Sequence, residues 1–320
     1  MKHRATLALL FGLVLFLAPA KVGAQSPLVT DDEVKVNIYK KFVENWERNP
    51  QIAYEAAKEY MRRYGKEDDQ YTKYFRLWLP AYEKEDRESK LLQAIYGDKN
   101  YAAGYALAKQ VLADDPENVK VLIALGYGGY LATTNTKNES FNADSVRYAQ
   151  KAIQMIEAGR APDEWKPFQN KDDALSSLYY ALGFTQVKTQ PDQAIGQFIK
   201  VSQIDTVLRK TPSTYYFLAV AYEQGPFKRL SADYTKRFAN QAETPESKAA
   251  LDTLNKVMDR IIDAYARAIA LAGTDAQHQA NKAEWMKRLT DLYKFRHENS
   301  DAGLNELIAS VLSKPLPPPQ

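Results

Sequence analysis

The side chains of this sequence that could do chemistry do so only in company, and the company is missing. A histidine acts as base or metal ligand when a carboxylate or second ligand stands beside it. Beyond His3, near the start, only His278 and His297 are present, 19 residues apart and without an HExxH pairing, and both read as solvated surface groups. A serine nucleophile needs a GxSxG turn and a phosphate cradle needs GxxxxGK[ST]; neither occurs. Gly126, Gly128 and Gly129 lie in an apolar helical stretch, where glycine permits close helix contact and does not cradle a phosphate. Two carboxylates held several ångströms apart could cleave a glycosidic bond. The aspartate pairs Asp31-Asp32, Asp68-Asp69, Asp114-Asp115 and Asp172-Asp173, however, sit at expected helix starts or loops, where carboxylates complement the helix dipole and cap free amides. The chain has no cysteine, which excludes thiol catalysis, thiolate metal sites and disulfides. The expectation is a non-enzymatic protein with no catalytic residue, no cofactor and no metal.

What remains is aromatic surface, supplied by 21 tyrosines, and the elements that would position it are helices. Leu304, Leu307, Ile308, Val311 and Leu312 make one apolar stripe of 3.6-residue period, with Asn299-Ser300-Asp301 ahead as N-cap oxygens and Pro315 behind as a stop. Trp285, Leu289 and Tyr293 recur every fourth residue. No sustained period-2 run is bounded by turn residues, so the chain is expected to be all-α. Three helices share a local signature around Leu125-Gly126, Leu182-Gly183 and Leu218-Ala219. The second and third are 36 residues apart, close to a helical-repeat period of about 34.

These residues resemble the tetratricopeptide (TPR) repeat. Tyr215, Leu218, Ala219 and Tyr222 fit its first helix, with Ala in place of Gly. Tyr179, Leu182 and Gly183 fit as well, but Gln186 stands where the pattern asks for Tyr. Ala194, Phe198 and Val201, and separately Ala56 and Tyr60, approximate its second helix, and Pro116 marks a repeat-closing turn. The resemblance spans residues 35–312 and is closest between 90 and 225, with Asn135–Asn142 and Gly225–Glu246 as insertions. It implies an irregular TPR-like right-handed superhelix of stacked antiparallel helical hairpins over residues 35–313. The first helix of each hairpin would line a concave groove, and the corresponding residues are Tyr127 and Tyr130, then Tyr180, Phe184 and Lys188, then Tyr216 and Glu223. Tyrosine offers contact area and a hydroxyl at low entropic cost, which suits a protein or peptide partner. The competing reading makes these rings core packing.

The ends complete the plan. Lys2, His3 and Arg4 precede an apolar run over Ala5–Ala20, and Val22-Gly23-Ala24 supplies small residues for cleavage after Ala24. The run is 16 residues, short of the roughly 20 that span a bilayer. Residues 1–24 therefore read as a cleaved signal peptide, placing the protein in the periplasm or outside the cell with no membrane span thereafter, and 25–34 as a flexible N-terminus. Lys2, Arg4 and Lys21 are three of the 43 basic residues, so the chain beyond Ala24 sets 40 basic against 40 acidic side chains. With no net charge, nucleic acid is not an expected partner. Residues 314–320 form a proline-rich tail, expected to be a disordered end. The function expected is an exported adaptor or scaffold binding a protein or peptide through its concave face. The alternatives are a structural subunit of a secreted fibre or envelope assembly, with which self-association is compatible, and a glycan-binding uptake component.

Overall fold

The structure is a computed structural model that describes residues 30–318. The expected signal peptide and its cleavage site lie outside the described residues. Every regular element among the described residues is helical. The chain contacts divide it into two compact units, one up to Lys90 and one from Leu91 onward, where the sequence reading had a single domain over 35–313.

The first unit carries α1 (Asp31–Asn45), α2 (Pro50–Tyr64) and α3 (Gln70–Leu92) as far as Lys90. Helix α1 starts inside the stretch expected to be flexible, because Thr30 and Glu33 form a reciprocal capping box: the Thr30 hydroxyl accepts from the Glu33 amide, and the Glu33 carboxylate accepts from the Thr30 amide. Ala53, Ala56 and Ala57 on α2 are small and buried, so α1 and α2 pack closely. Phe42, Tyr60 and Phe75 fill the remaining space, with Phe42 and Phe75 edge to face at 4.9 Å. The buried tyrosines keep partners: Tyr60 Oη donates to Asp69 at 2.7 Å and Tyr64 Oη to Asp31 at 2.9 Å.

The second unit opens with a π-turn at Gln93–Gly97, followed by α4 (Tyr101–Asp114), α5 (Val119–Thr136), α6 (Asn142–Glu157), α7 (Lys171–Gln186), α8 (Pro191–Gln203) and α9 (Pro212–Tyr222). Another π-turn, Glu223–Phe227, leads to α10 (Lys228–Phe238), α11 (Pro245–Ala272), α12 (Gln279–Arg296) and α13 (Leu304–Ser310). Asn100, Asn118, Asn170 and Thr244 cap helix starts with their side chains, and Pro191, Pro212 and Pro245 occupy first-turn positions where no amide is needed.

Helices α5 and α6 run antiparallel at close range. A Cβ on Gly126 would lie 2.7 Å from Ala149 Cα, and one on Gly129 would lie 2.4 Å from Ser145 Cβ. The Ser145 hydroxyl donates to the Gly126 carbonyl at 2.7 Å across this contact. Helices α7 and α8 pair in the same sense, with Gly183 against the ring of Phe198. Helix α9, in contrast, packs on both α8 and α11. The intervening α10 falls in the expected 225–246 insertion and buries no residue fully, so it cannot supply the apolar face that a partner of α9 must have.

Three expectations at the C-terminal end are corrected. Helix α13 stops at Ser310 and tightens into a 3₁₀ turn over Val311–Ser313, which rotates Leu312 out of the expected stripe to 47% exposure while Val311 stays buried. Its N-cap is Gly303 at φ 88°, not the Asn299–Asp301 oxygens. The described part of the tail is not free, because Arg260 and Arg267 of α11 hold its carbonyls.

Candidate functional site

Helices α5, α7 and α9 bring five of the seven expected site residues into one chain of rings. Tyr127 and Tyr130, one turn apart on α5, have centroids 5.3 Å apart, and Tyr127 meets Phe168 edge-on at 5.5 Å. Tyr130 touches Tyr180 at 5.6 Å and Phe184 at 5.1 Å, both edge to face. Phe184 passes the contact to Phe217 at 5.2 Å, Phe217 to Tyr216 at 5.1 Å, and Tyr216 stacks on Trp285 at 5.0 Å. Edge-to-face pairs contribute about 0.5–1.5 kcal/mol each beyond their buried area, so the chain ties the three helices together. Burial pushes the Tyr127, Tyr130, Tyr180 and Tyr216 hydroxyls above their ordinary pKa.

The rings differ in what they leave for a partner. Tyr180 is 5% exposed and its hydroxyl donates to Ser213 Oγ at 2.9 Å, so its ring supports its neighbours and presents no face outward. That corrects its expected place on the groove surface; every residue of α7 from Ala174 to Gly183 is buried, Tyr180 among them. Tyr127, Tyr130, Phe184 and Tyr216 are half-buried against the same core.

Phe184 and Lys188 line a cleft of about 660 Å³ at the C-terminal end of α7, shared with Phe217, Gln186 and Glu139. Lys188 Nζ lies 3.5 Å from Glu139 at the rim, with both side chains mostly solvated. Gln186 is 1% exposed, and its Nε2 donates to Gln190 Oε1 at 3.3 Å and to Gln193 Oε1 at 3.0 Å. Its Oε1 is buried without a hydrogen-bond partner, a state that costs about 1–3 kcal/mol. Glu223 lies elsewhere, in a second cleft of about 790 Å³, where it accepts from Arg288 Nε at 2.7 Å and from Tyr265 Oη at 3.4 Å. Tyr127, Tyr130, Tyr180 and Tyr216 line neither cleft.

Sequence reasoning therefore missed Gln186, Phe217 and Glu139 as cleft residues. The signal for Gln186 was present: a polar side chain where the repeat pattern asks for tyrosine. Phe217 follows directly on Tyr216, and a helical register that faces one residue into a groove turns its neighbour about 100° away. Glu139 lies in the loop between α5 and α6, where helical periodicity carries no information.

Among the described residues no three His, Asp or Glu side chains gather where they could hold a metal ion, and no helix is long and apolar enough to cross a membrane. No protein-family model, no curated protein and no solved structure matches the chain.

Proposed function

We propose that this chain is an exported, non-enzymatic adaptor of TPR-like helical-repeat type, and that it binds an extended peptide segment of a protein partner in the cleft at the C-terminal end of α7. The observation that carries the reading is Gln186. A buried amide oxygen without a partner, behind the wall of an open cleft, is a costly arrangement to keep, and a ligand's donor would relieve the cost once the Gln186 side chain turns toward the cleft. Phe184 and Phe217 beside it offer apolar contact for a side chain, and Glu139 and Lys188 at the rim suit a peptide's alternating donors and acceptors. The glycan alternative asks for rings presented face outward, and the burial of Tyr180 counts against it.

A photoreactive amino acid in place of Thr189, an exposed cleft residue, tests this in the native envelope fraction. The expected result is a reproducible protein adduct that Phe184→Ala reduces. Failure to recover any protein adduct from Thr189 in repeated preparations would sink the adaptor reading.

A further inference from the structure

The tail that the sequence presents as a loose end is held in a register that its chemistry explains. Lys314 is extended, at φ −100° and ψ 150°, and the prolines after it fix φ near −65° and disfavour helix in the residues preceding them. A segment of that kind adopts polyproline II, which makes no internal hydrogen bonds and leaves every carbonyl outward. Two arginines of α11 take those carbonyls. Arg267 Nη2 donates to the Lys314 carbonyl at 3.0 Å and the Pro315 carbonyl at 2.9 Å, and Arg260 Nε donates to the Pro318 carbonyl at 2.9 Å. Between them Leu316 packs against the unit's core.

The spacing matches. Residues 260 and 267 are two turns apart, about 10.5 Å along α11 at 1.5 Å per residue. Three residues of polyproline II rise about 9.3 Å, which is the step from Pro315 to Pro318, running antiparallel to the helix. The donor at one end is also built in place. Arg267 is 5% exposed and paired with Asp263 on the next turn, Nε to Oδ1 at 2.6 Å and Nη2 to Oδ2 at 3.3 Å. A buried guanidinium oriented by a carboxylate, with a donor left over for main-chain carbonyls, is a recognition device that reads backbone and not side chains.

We propose that this face of α11 is a binding site for a polyproline-II segment of another protein, and that residues 314–318 are its resident occupant, which an incoming ligand displaces. The site is separate from the α7 cleft and stands without it. A tethered tail competes at an effective concentration of order 1 mM, so a groove with a peptide Kd of about 0.1 mM appears about tenfold weaker in the full chain than with the tail removed.

The probe is a fluorescent peptide of the tail's own sequence, Lys-Pro-Leu-Pro-Pro-Pro-Gln, read by anisotropy against the full chain and against the chain ended at Ser313. The expected result is saturable binding to the shortened chain and about tenfold weaker binding to the full one. Should the shortened chain lose its fold by circular dichroism, the full chain carrying Pro315→Ala, Pro317→Ala and Pro318→Ala takes its place. Arg260→Ala in the tail-free form is expected to weaken the peptide about fivefold, the loss of one hydrogen bond. The proposal is overturned if tail removal leaves peptide affinity unchanged, if neither form binds, or if a peptide with every proline replaced by alanine binds equally well. Dimerisation of the full chain on concentration, abolished by tail removal, would assign the site to a second copy's tail and overturn it too.

Discussion

Adding one methyl group at Gly126 should destabilise the second unit, although by helix propensity the same change ought to help. The built Cβ meets Ala149 Cα at 2.7 Å, Ala149 N at 2.8 Å and Ala149 Cβ at 2.9 Å, and two of those three atoms are backbone. No rotamer change relieves a backbone contact, so α5 and α6 must move apart. Overpacking of this kind costs about 1–3 kcal/mol, with a backbone clash at the upper end, while Gly→Ala in a helix returns about 1 kcal/mol. The net is a loss of about 2 kcal/mol. For a unit running from Leu91 to Gln320, at about 2–4 °C per kcal/mol, the midpoint should fall by about 4–8 °C. Gly196 on α8 is the control, because a Cβ there meets nothing within 4 Å, and Gly196→Ala should gain up to about 1 kcal/mol. Thermal unfolding followed by far-UV circular dichroism reads both. Adding Ala149→Gly to Gly126→Ala removes only the 2.9 Å contact, so little of the loss should return. A Gly126→Ala protein as stable as the parent would refute the argument that the missing side chain sets the distance between α5 and α6.

Three further outcomes follow from other sites. Gln186→Met replaces an amide with an unpaired buried oxygen by an apolar side chain of similar shape, so urea unfolding should show equal or about 1 kcal/mol greater stability while partner crosslinking from the cleft falls; a clear loss of stability would count against the role given to that oxygen. Tyr180→Phe removes only the hydrogen bond to Ser213, costing about 1 kcal/mol by the same measure, and should leave partner capture unchanged because the ring faces inward. In the folded chain Arg62 and Arg63 lower the Glu59 carboxyl from its ordinary 4.5 to about 2 through hydrogen bonds. Its contribution to the first unit is therefore present above pH 4.5 and lost as pH falls toward 2, and Glu59→Gln should flatten that acid limb in a urea-midpoint titration.

Helices were legible in the sequence because burial on one side writes a 3.6-residue period, and Trp285, Leu289 and Tyr293 are all buried as that period implies. Gly126 was legible for the related reason that glycine in an apolar helix usually marks a close approach. The turn at Val311–Ser313 was not, since a change from α to 3₁₀ winding leaves composition untouched and is decided by packing on α11. The ring chain was half legible. Helical spacing brought Tyr127 near Tyr130 and Tyr180 near Phe184, but the order in which rings meet across helices is a tertiary fact, and Phe217 enters only there. The arginines at 260 and 267 looked like ordinary charges on an amphipathic helix; their ligands, three carbonyls almost fifty residues or more away, have no signature in side-chain identity.

The succession of rings has an optical consequence. Tyr127, Tyr130 and Tyr180 lie within about one ring diameter of their neighbours, and the succession ends with Tyr216 stacked on Trp285. Electronic excitation passes between dipoles at such separations faster than it is emitted, and it runs downhill from tyrosine to tryptophan. Tyr216 thus hands its excitation to the indole of Trp285 stacked on it, while Trp165, packed against the same core, is a second acceptor for the tyrosines of α5 and α7. With Trp285→Phe, indole emission from Trp46, Trp78 and Trp165 would remain, and the difference between the two spectra would report, without any added label, whether Tyr216 on α9 still lies against Trp285 on α12.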